Sequence, residues 1–226
     1  MTYLNYPRPH DLLWHDGVHG LSALSAAAGL PAWFNPNWPV VVRRAPLSED
    51  GRCVPVGLRG LTRSVRFPAL LSHSSIKRCL TPEALIEPDL WLLNPEIGNL
   101  PALNAFHVVL KKLSSTDLVW GPTGSVGFAL ATGTAVINAD SDLDLVLRSD
   151  ERLSAEQIKL LQHALTQTEC RIDLQIDSGF GGFSFVEWVR GAGRVLLKTE
   201  VGPVLTDDPW ADPIESNHSK KTMSQR

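Results

Sequence analysis

The chain has 226 residues, enough for one large domain or two smaller ones, with the apolar and charged fractions of an ordinary globular protein. A formal net charge of −3 gives no general attraction to nucleic acid or to an anionic membrane, so we expect neither as a partner. No apolar run reaches the ~20 residues of a membrane helix, and residues 1–14 lack a signal-peptide pattern. Cys53, Cys79 and Cys170 have no paired spacing, which argues against a disulfide framework or a zinc site and predicts a cytoplasmic protein.

Residues 1–80 predict a small β-rich N-terminal domain. Strands are predicted at 38–45 and 53–61, separated by a polar turn. Pro55 has no backbone N–H, which favours an edge position for the second of these strands. Residues 21–28 are rich in Ala, Ser and Leu and predict one short helix, ended by Gly29 and Pro31.

Residues 81–212 predict a second domain that mixes helices and strands. Thr81 followed by Pro82 is a helix-start signal, and apolar residues at helical spacing predict a helix over 103–113. The remaining predicted elements are a strand at 118–120, a helix at 125–132, a strand at 143–147, a helix after the capping box at Ser154, a strand at 170–177, a helix at 184–190 and a last strand at 195–199. The predicted fold class is therefore α+β, followed by a disordered polar tail at 213–226.

Two aspartates one residue apart mark the predicted strand at 143–147. Asp142 and Asp144 project from one face of that strand, while Leu143 projects from the other. Asp173 on the strand 170–177 supplies a third carboxylate of matching parity. Such a cluster predicts a site for two Mg²⁺ ions, which would serve an in-line displacement at phosphorus with the third carboxylate accepting a proton. The alternative is an acidic, solvent-exposed edge strand.

A Gly-Ser turn precedes the predicted helix at 125–132. Gly124 allows the backbone to approach a phosphate, and Ser125 can cap the helix and offer its hydroxyl to a phosphate oxygen. Lys198 on the last predicted strand is a further candidate for phosphate binding. The alternatives are an ordinary turn with its helix cap and a lysine that lies along the surface.

Basic residues are enriched in the N-terminal domain, and we predict that they bind a triphosphate or an acidic carrier protein. The candidates are Arg8, His10, Arg59 and Arg63. For each arginine a solvated surface position is the alternative, and for His10 a structural role.

The motifs GPTGS at 121–125 and DSDLDLVL at 140–147 resemble the signature of the polymerase-β-like nucleotidyltransferases. Further blocks are similar to the malonate decarboxylase holo-acyl-carrier-protein synthase family, the phosphoribosyl-dephospho-CoA transferases. These blocks are PRPHDLLW at 7–14, WPVVVRRA at 38–45, VPVGLRG at 54–60, GGFSFVEW at 181–188 and VLLKTEVGPVLTDDPW at 195–210. The resemblance implies an N-terminal domain for substrate or carrier binding and a catalytic domain whose mixed sheet carries helices on one side.

The resemblance also implies the reaction. The donor would be 2′-(5″-triphosphoribosyl)-3′-dephospho-CoA, and the acceptor a serine on the apo acyl-carrier subunit of malonate decarboxylase, with release of pyrophosphate. Asp142 and Asp144 would be the active-site aspartates, and Asp173 follows from the superfamily pattern. Two alternatives are an ATP-using nucleotidyltransferase that modifies a small molecule or another protein, and a nucleotide-binding module without catalysis.

Overall fold

The computed structural model describes residues 6–24, 29–48, 50–62, 64–87, 100–166, 168–191 and 193–213. Within these ranges the strands form two six-stranded sheets, one from each half of the chain. The combination of two sheets with helices confirms the predicted α+β class. The predicted tail from residue 214 onward lies outside the described residues.

The N-terminal sheet is antiparallel throughout its described pairings, in the order β2-β5-β4-β3-β1-β6. Its strands are β1 (Leu12–His15), β2 (Leu21–Ala23), β3 (Val40–Val42), β4 (Cys53–Arg59), β5 (Arg66–Ser72) and β6 (Ile76–Leu80), with 3₁₀ turns at Val18–Gly20, His73–Ser75 and Pro82–Ile86. Strict alternation along β4 buries Val54, Val56 and Leu58 in the core of this domain. The other face of β4 therefore turns toward the second domain.

The expectation that Pro55 marks an edge strand is wrong, because β4 lies between β3 and β5. The proline is tolerated because β3 ends at Val42, one residue before the position opposite Pro55. There the carbonyl of Pro55 accepts from the Arg43 N–H at 2.9 Å, so the missing donor removes one hydrogen bond at the end of a ladder.

The expected helix at 21–28 is also wrong where the structure describes it. Leu21–Ala23 forms β2 and pairs with β5, which buries Leu21 against the sheet while Ser22 faces solvent. Pairing with a neighbouring strand has overridden the helical preference of this composition. Residues 25–28 lie outside the described residues.

The C-terminal sheet has the order β12-β11-β10-β9-β8-β7 and one parallel pair, β8 with β9. Its elements are α1 (Pro101–Leu113), β7 (Val119–Pro122), α2 (Gly124–Thr132), β8 (Leu143–Arg148), α3 (Ala155–Leu165), β9 (Ile172–Asp177), β10 (Gly182–Ser184), α4 (Phe185–Val189), β11 (Val195–Thr199) and β12 (Gly202–Thr206). The predicted capping box at Ser154 is present, and α2 ends at Gly133 in the left-handed conformation. The strand β12 was not predicted, because Gly and Pro such as Gly202 and Pro203 are typical of loops. An edge strand accommodates both residues.

Helices α1 and α3 cover one face of the C-terminal sheet. Phe106 and Val109 of α1 and Leu161 of α3 share a core with Leu143 and the other odd-numbered leucines of β8. The even-numbered residues of β8 therefore face away from these helices, toward the N-terminal domain. Within the described residues, none of the helices has both the length and the apolar character needed to cross a membrane.

A buried cluster of charges, here called the interdomain ion cluster, joins the two domains. Arg148 at the end of β8 contacts Asp11 (3.2 Å), Glu83 and Asp177 (3.0 Å), and Arg44 contacts Asp177 at 2.9 Å. The Arg148 side chain is only 9% exposed, so these pairs are shielded from solvent. An apolar seam that includes Leu12, Leu80, Leu85 and Phe128 lies beside the cluster.

Candidate active site between the two sheets

A cleft of about 530 Å³ separates the inner faces of the two sheets. This volume lies in the range of sites that hold nucleotide-sized ligands. The polar residues that line the cleft are His10, Arg43, Arg59, Arg66, Thr123, Asp144, Asp173, Gln175 and Lys198. Its carboxylates come from the C-terminal domain, whereas its guanidinium groups come from the N-terminal domain.

Asp144 and Asp173 are direct neighbours across the parallel pair of β8 and β9. Residues in register on adjacent strands project from the same face, so both carboxylates enter the cleft. Mg²⁺ usually takes one or two carboxylates from a protein and completes its shell with water and substrate phosphates. The paired carboxylates are hard oxygen donors of this kind, and the donor chemistry of the site fits that ion.

Asp142 does not share this arrangement. It precedes Leu143, the first residue of β8, and is absent from the lining of the cleft. Among the described residues, no three or more His, Cys, Asp or Glu side chains lie close enough together to hold one metal ion. The structure therefore brings Asp144 and Asp173 together, while Asp142 lies beside the pair at the entry to the strand.

The predicted phosphate-binding turn lies directly against Asp144. Gly124 has φ +58°, and a Cβ at this position would come 2.0 Å from the Asp144 carboxylate oxygen Oδ2. Thr123, rather than Ser125, precedes the first residue of α2, and the Thr123 N–H donates to the Asp144 carbonyl at 2.8 Å. The first turn of α2 is thus fixed beside the carboxylate pair, where its free backbone N–H groups favour an anion.

Arg59 reaches across the cleft to this turn. Its guanidinium Nη2 donates to the Ser125 hydroxyl at 2.8 Å, and its Cζ lies 5.1 Å from the centre of the Phe128 ring. Only 6% of Arg59 is exposed. A residue of the N-terminal domain is therefore held at the start of α2, on the C-terminal side of the cleft.

Of the other basic candidates that the structure describes, two line the cleft and one lies outside it. Lys198 lines the cleft from β11, and His10 lines it from the segment before β1. Arg8 lies outside the cleft lining and pairs with Glu83 at 3.3 Å. Arg63 lies outside the described residues.

His10 has an unusual backbone. Its φ of +76° makes it the non-glycine residue with positive φ among those that the structure describes, and its N–H donates to the Val42 carbonyl at 3.0 Å. Burial, together with the positive charges of Arg148 and Arg44, lowers the pKa of His10 to about 4. The imidazole is therefore neutral at pH 7.

The interdomain ion cluster behaves as a buried network. Burial raises the pKa of Asp11, although the Arg8 N–H and the Arg148 guanidinium act in the opposite direction. Burial also acts to raise the pKa of Glu83, but the charge of Arg148 together with hydrogen bonds outweighs it, and the net shift is downward. Arg148 thus stabilises the ionised form of Glu83 at the boundary between the domains.

Four polar residues of the cleft lining were not singled out as site residues from the sequence: Arg43, Arg66, Thr123 and Gln175. Gln175 has the same parity as Asp173, so the alternation of the strand could have indicated it. Arg66 belongs to the predicted basic enrichment and is opposite Arg59 in the β4–β5 ladder, and a hairpin register would have been needed to place it in the cleft. Arg43 follows β3, and no local sequence pattern indicates that its side chain enters the cleft.

Comparison with known proteins identifies the family to which the chain belongs. The N-terminal domain of the phosphoribosyl-dephospho-CoA transferase MdcG matches residues 8–82, and the C-terminal domain of MdcG matches residues 91–209. A relative from Pseudomonas aeruginosa, named phosphoribosyl-dephospho-CoA transferase, is 39% identical over 90% of this chain and 94% of its own length. The chain belongs to the phosphoribosyl-dephospho-CoA transferase family.

Other members of the transferase family match to the same extent. A relative of the same name from Pseudomonas putida is 41% identical over 92% of this chain and 97% of its own length. One from Klebsiella pneumoniae is 40% identical over 90% of this chain and 96% of its own length. Membership in this family makes the chain a transferase. No solved structure matches the chain significantly.

Proposed function

We propose that this transferase moves the phosphoribosyl-dephospho-CoA group from 2′-(5″-triphosphoribosyl)-3′-dephospho-CoA to a serine of the apo acyl-carrier subunit of malonate decarboxylase. The observation that carries the proposal is the in-register pair of Asp144 and Asp173, which faces the cleft beside the first turn of α2. Carboxylates next to an anion-binding helix start are suited to phosphoryl transfer. The names of the relatives supply the transferred group, and the sequence resemblance supplies the acceptor.

In the proposed reaction the serine Oγ attacks the α-phosphorus of the triphosphate. A new P–O bond to the serine forms as the bond from the α-phosphorus to the bridging oxygen of the β-phosphate breaks. Pyrophosphate leaves with the electron pair of that bond, and a phosphodiester joins the prosthetic group to the carrier. Asp173, the more exposed of the pair, accepts the proton of the serine hydroxyl.

The turn at the start of α2 binds the phosphates in this scheme. The backbone N–H groups of the first turn of α2 hold a phosphate oxygen, and the left-handed Gly124 leaves room beside Asp144. Lys198, on β11 of the same C-terminal sheet, also lines the cleft and provides a further positive charge. The donor is thereby oriented with its α-phosphorus toward the carboxylate pair.

Mg²⁺ is the proposed cofactor, held by Asp144 and Asp173. When bound, the ion neutralises phosphate charge and polarises the phosphoryl group. The two-ion arrangement expected from the sequence would also require the Asp142 carboxylate, so the position of that side chain decides between one ion and two.

Mass spectrometry of the purified carrier subunit tests the proposal. The carrier is incubated with this protein, Mg²⁺ and the triphosphoribosyl donor, and a mass gain equal to the prosthetic group is expected. ATP in place of the donor is the matched control. Incorporation from ATP alone would instead favour an ATP-using nucleotidyltransferase, and no incorporation from either donor would contradict phosphoryl transfer to this carrier.

A further inference from the structure

The inner face of the N-terminal sheet presents three arginines to the cleft. Arg59 of β4 is paired in register with Arg66 of β5, so both side chains leave the same face of the sheet. Arg43, just past the end of β3, has its Cδ 3.5 Å from the position that a Cβ on Gly57 would occupy. The three arginines, here called the arginine row, all line the cleft.

Gly57 lies between the members of this row. Because it has no side chain, the Arg43 methylenes pack next to its backbone, and Gly57 lines the cleft together with the three arginines. Guanidinium groups bind phosphate through two parallel N–H donors, a geometry that lysine does not provide. A concave floor of this composition is suited to a small, highly charged phosphate anion.

The burial of Arg59 favours a role in phosphate binding over a role in docking the carrier protein. With 6% of its surface exposed and its guanidinium hydrogen-bonded to Ser125, this residue cannot contribute to an outer docking surface. Its guanidinium is directed toward the start of α2, where a donor phosphate is proposed to bind. Arg43 and Arg66 are exposed, so the row extends the anion site from the buried Arg59 outward along the N-terminal sheet.

The charges of the two walls are opposite. The carboxylate pair occupies the C-terminal wall, and the arginine row occupies the N-terminal wall. A triphosphate lying across the cleft would have its α-phosphorus near the carboxylates and its terminal phosphates near the arginines. Positive charge at the terminal phosphates favours the transition state, because negative charge builds up on the leaving group.

We propose that the arginine row is the subsite for the leaving pyrophosphate, and that the N-terminal domain thus completes the active site rather than serving only to dock the carrier. This inference rests on the proposed function for the identity of the leaving group. The subsite itself is defined by Arg43, Arg59 and Arg66.

Calorimetric titration of the full chain with inorganic pyrophosphate, with and without Mg²⁺, tests the subsite. Arg43→Ala and Arg66→Ala should each weaken pyrophosphate binding about ten-fold, the effect of one lost charge-assisted contact. Arg59→Lys should weaken it as well, because the ammonium loses the planar fork. Arg52→Ala is the matched control, since Arg52 is exposed, pairs with Asp50 and does not line the cleft.

The same variants are then titrated with the apo acyl-carrier subunit. Unchanged carrier affinity with weakened pyrophosphate binding is the expected result. Pyrophosphate affinity within two-fold of wild type in both Arg43→Ala and Arg66→Ala would overturn the inference, as would a loss confined to carrier affinity. If wild-type protein fails to transfer from the triphosphoribosyl donor while pyrophosphate binding still depends on the row, the proposed function fails and the subsite stands.

Discussion

The two sheets that face each other across the cleft have different constructions and opposite charges. The C-terminal sheet contains the parallel pair β8–β9 and presents Asp144 and Asp173, which the strand register brings together. The N-terminal sheet is antiparallel in its described pairings and presents arginines from separate strands. The carboxylates thus come from two adjacent parallel strands. The arginines come from the β4–β5 hairpin and from the residue that follows β3.

This difference assigns distinct tasks to the domains. The carboxylates can coordinate a metal ion and accept a proton, whereas the arginines can only bind and neutralise anions. Substitutions on the two walls should therefore have different kinetic consequences. Single substitutions test whether the two walls have these separate tasks.

Asp144→Asn should nearly abolish transfer without unfolding the protein. Loss of this carboxylate removes metal and phosphoryl charge stabilisation worth several kcal/mol, which corresponds to a decrease of roughly 1,000-fold in rate. The rate of mass gain of the carrier subunit measures it. Asp140→Asn is the control, because Asp140 is exposed in the turn before β8 and does not line the cleft.

Asp142→Asn in the same assay tests whether Asp142 belongs to the metal site. A loss equal to that of Asp144→Asn would assign Asp142 to the metal site, and a rate near that of Asp140→Asn would limit the site to Asp144 and Asp173. Near-wild-type turnover of Asp144→Asn itself would contradict the assignment of the carboxylate wall.

Arg148→Met should destabilise the protein by about 3–5 kcal/mol, because it leaves buried carboxylates without their cation. The free energy of unfolding from denaturant titration measures this effect. Arg152→Met is the matched control: Arg152 pairs with Asp208, but its side chain is 54% exposed. The expected cost of the control is below about 1 kcal/mol, and similar losses in both variants would argue against the interdomain ion cluster as a structural anchor.

Gly124→Ala should lower the transfer rate by about 100-fold, because the new Cβ displaces the Asp144 carboxylate from its position. The left-handed backbone adds a cost of about 1–2 kcal/mol in stability. Gly193→Ala separates the two effects, since Gly193 also has positive φ but nothing lies within 4 Å of its added Cβ. Equal activity in the two variants would mean that the close approach to Asp144 is dispensable.

His10 predicts that stability depends on pH. Its folded-state pKa of about 4 lies below the value of 6.5 expected for the unfolded chain, so the unfolded chain binds the proton first as pH falls. Stability should therefore decrease from pH 6.5 to pH 4, and His10→Asn should reduce that decrease. Asn tolerates positive φ, which makes it the suitable replacement. Unfolding free energies at both pH values provide the measurement, and an unchanged slope would contradict the prediction.

The parts of the site that could be predicted from the sequence are those formed by short segments. The parity of Asp173, the helix that follows Gly124 and the capping box at Ser154 each depend on a few adjacent residues. The residues that could not be predicted depend on alignment between distant segments. Arg66 enters the cleft only because β4 and β5 pair in one register, and Arg148 meets Glu83 only after the domains dock.

The errors have the same physical origin. Pro55 is acceptable in an interior strand because β3 ends beside it, a fact that the local sequence does not contain. Residues 21–23 pair with β5 although their composition favours a helix. The burial of Arg59 could likewise be known only from the fold.

The spacing between Asp144 and Arg148 on β8 limits where residues can be inserted or deleted. Asp144 and Arg148 lie four residues apart on one face, and their partners Asp173 and Asp177 repeat that spacing on β9. Insertion or deletion of one residue between Asp144 and Arg148 would turn one of the two side chains into the core. The turn at 133–141 has no such requirement. Length variation among related enzymes should therefore accumulate in that turn and be excluded from the strand.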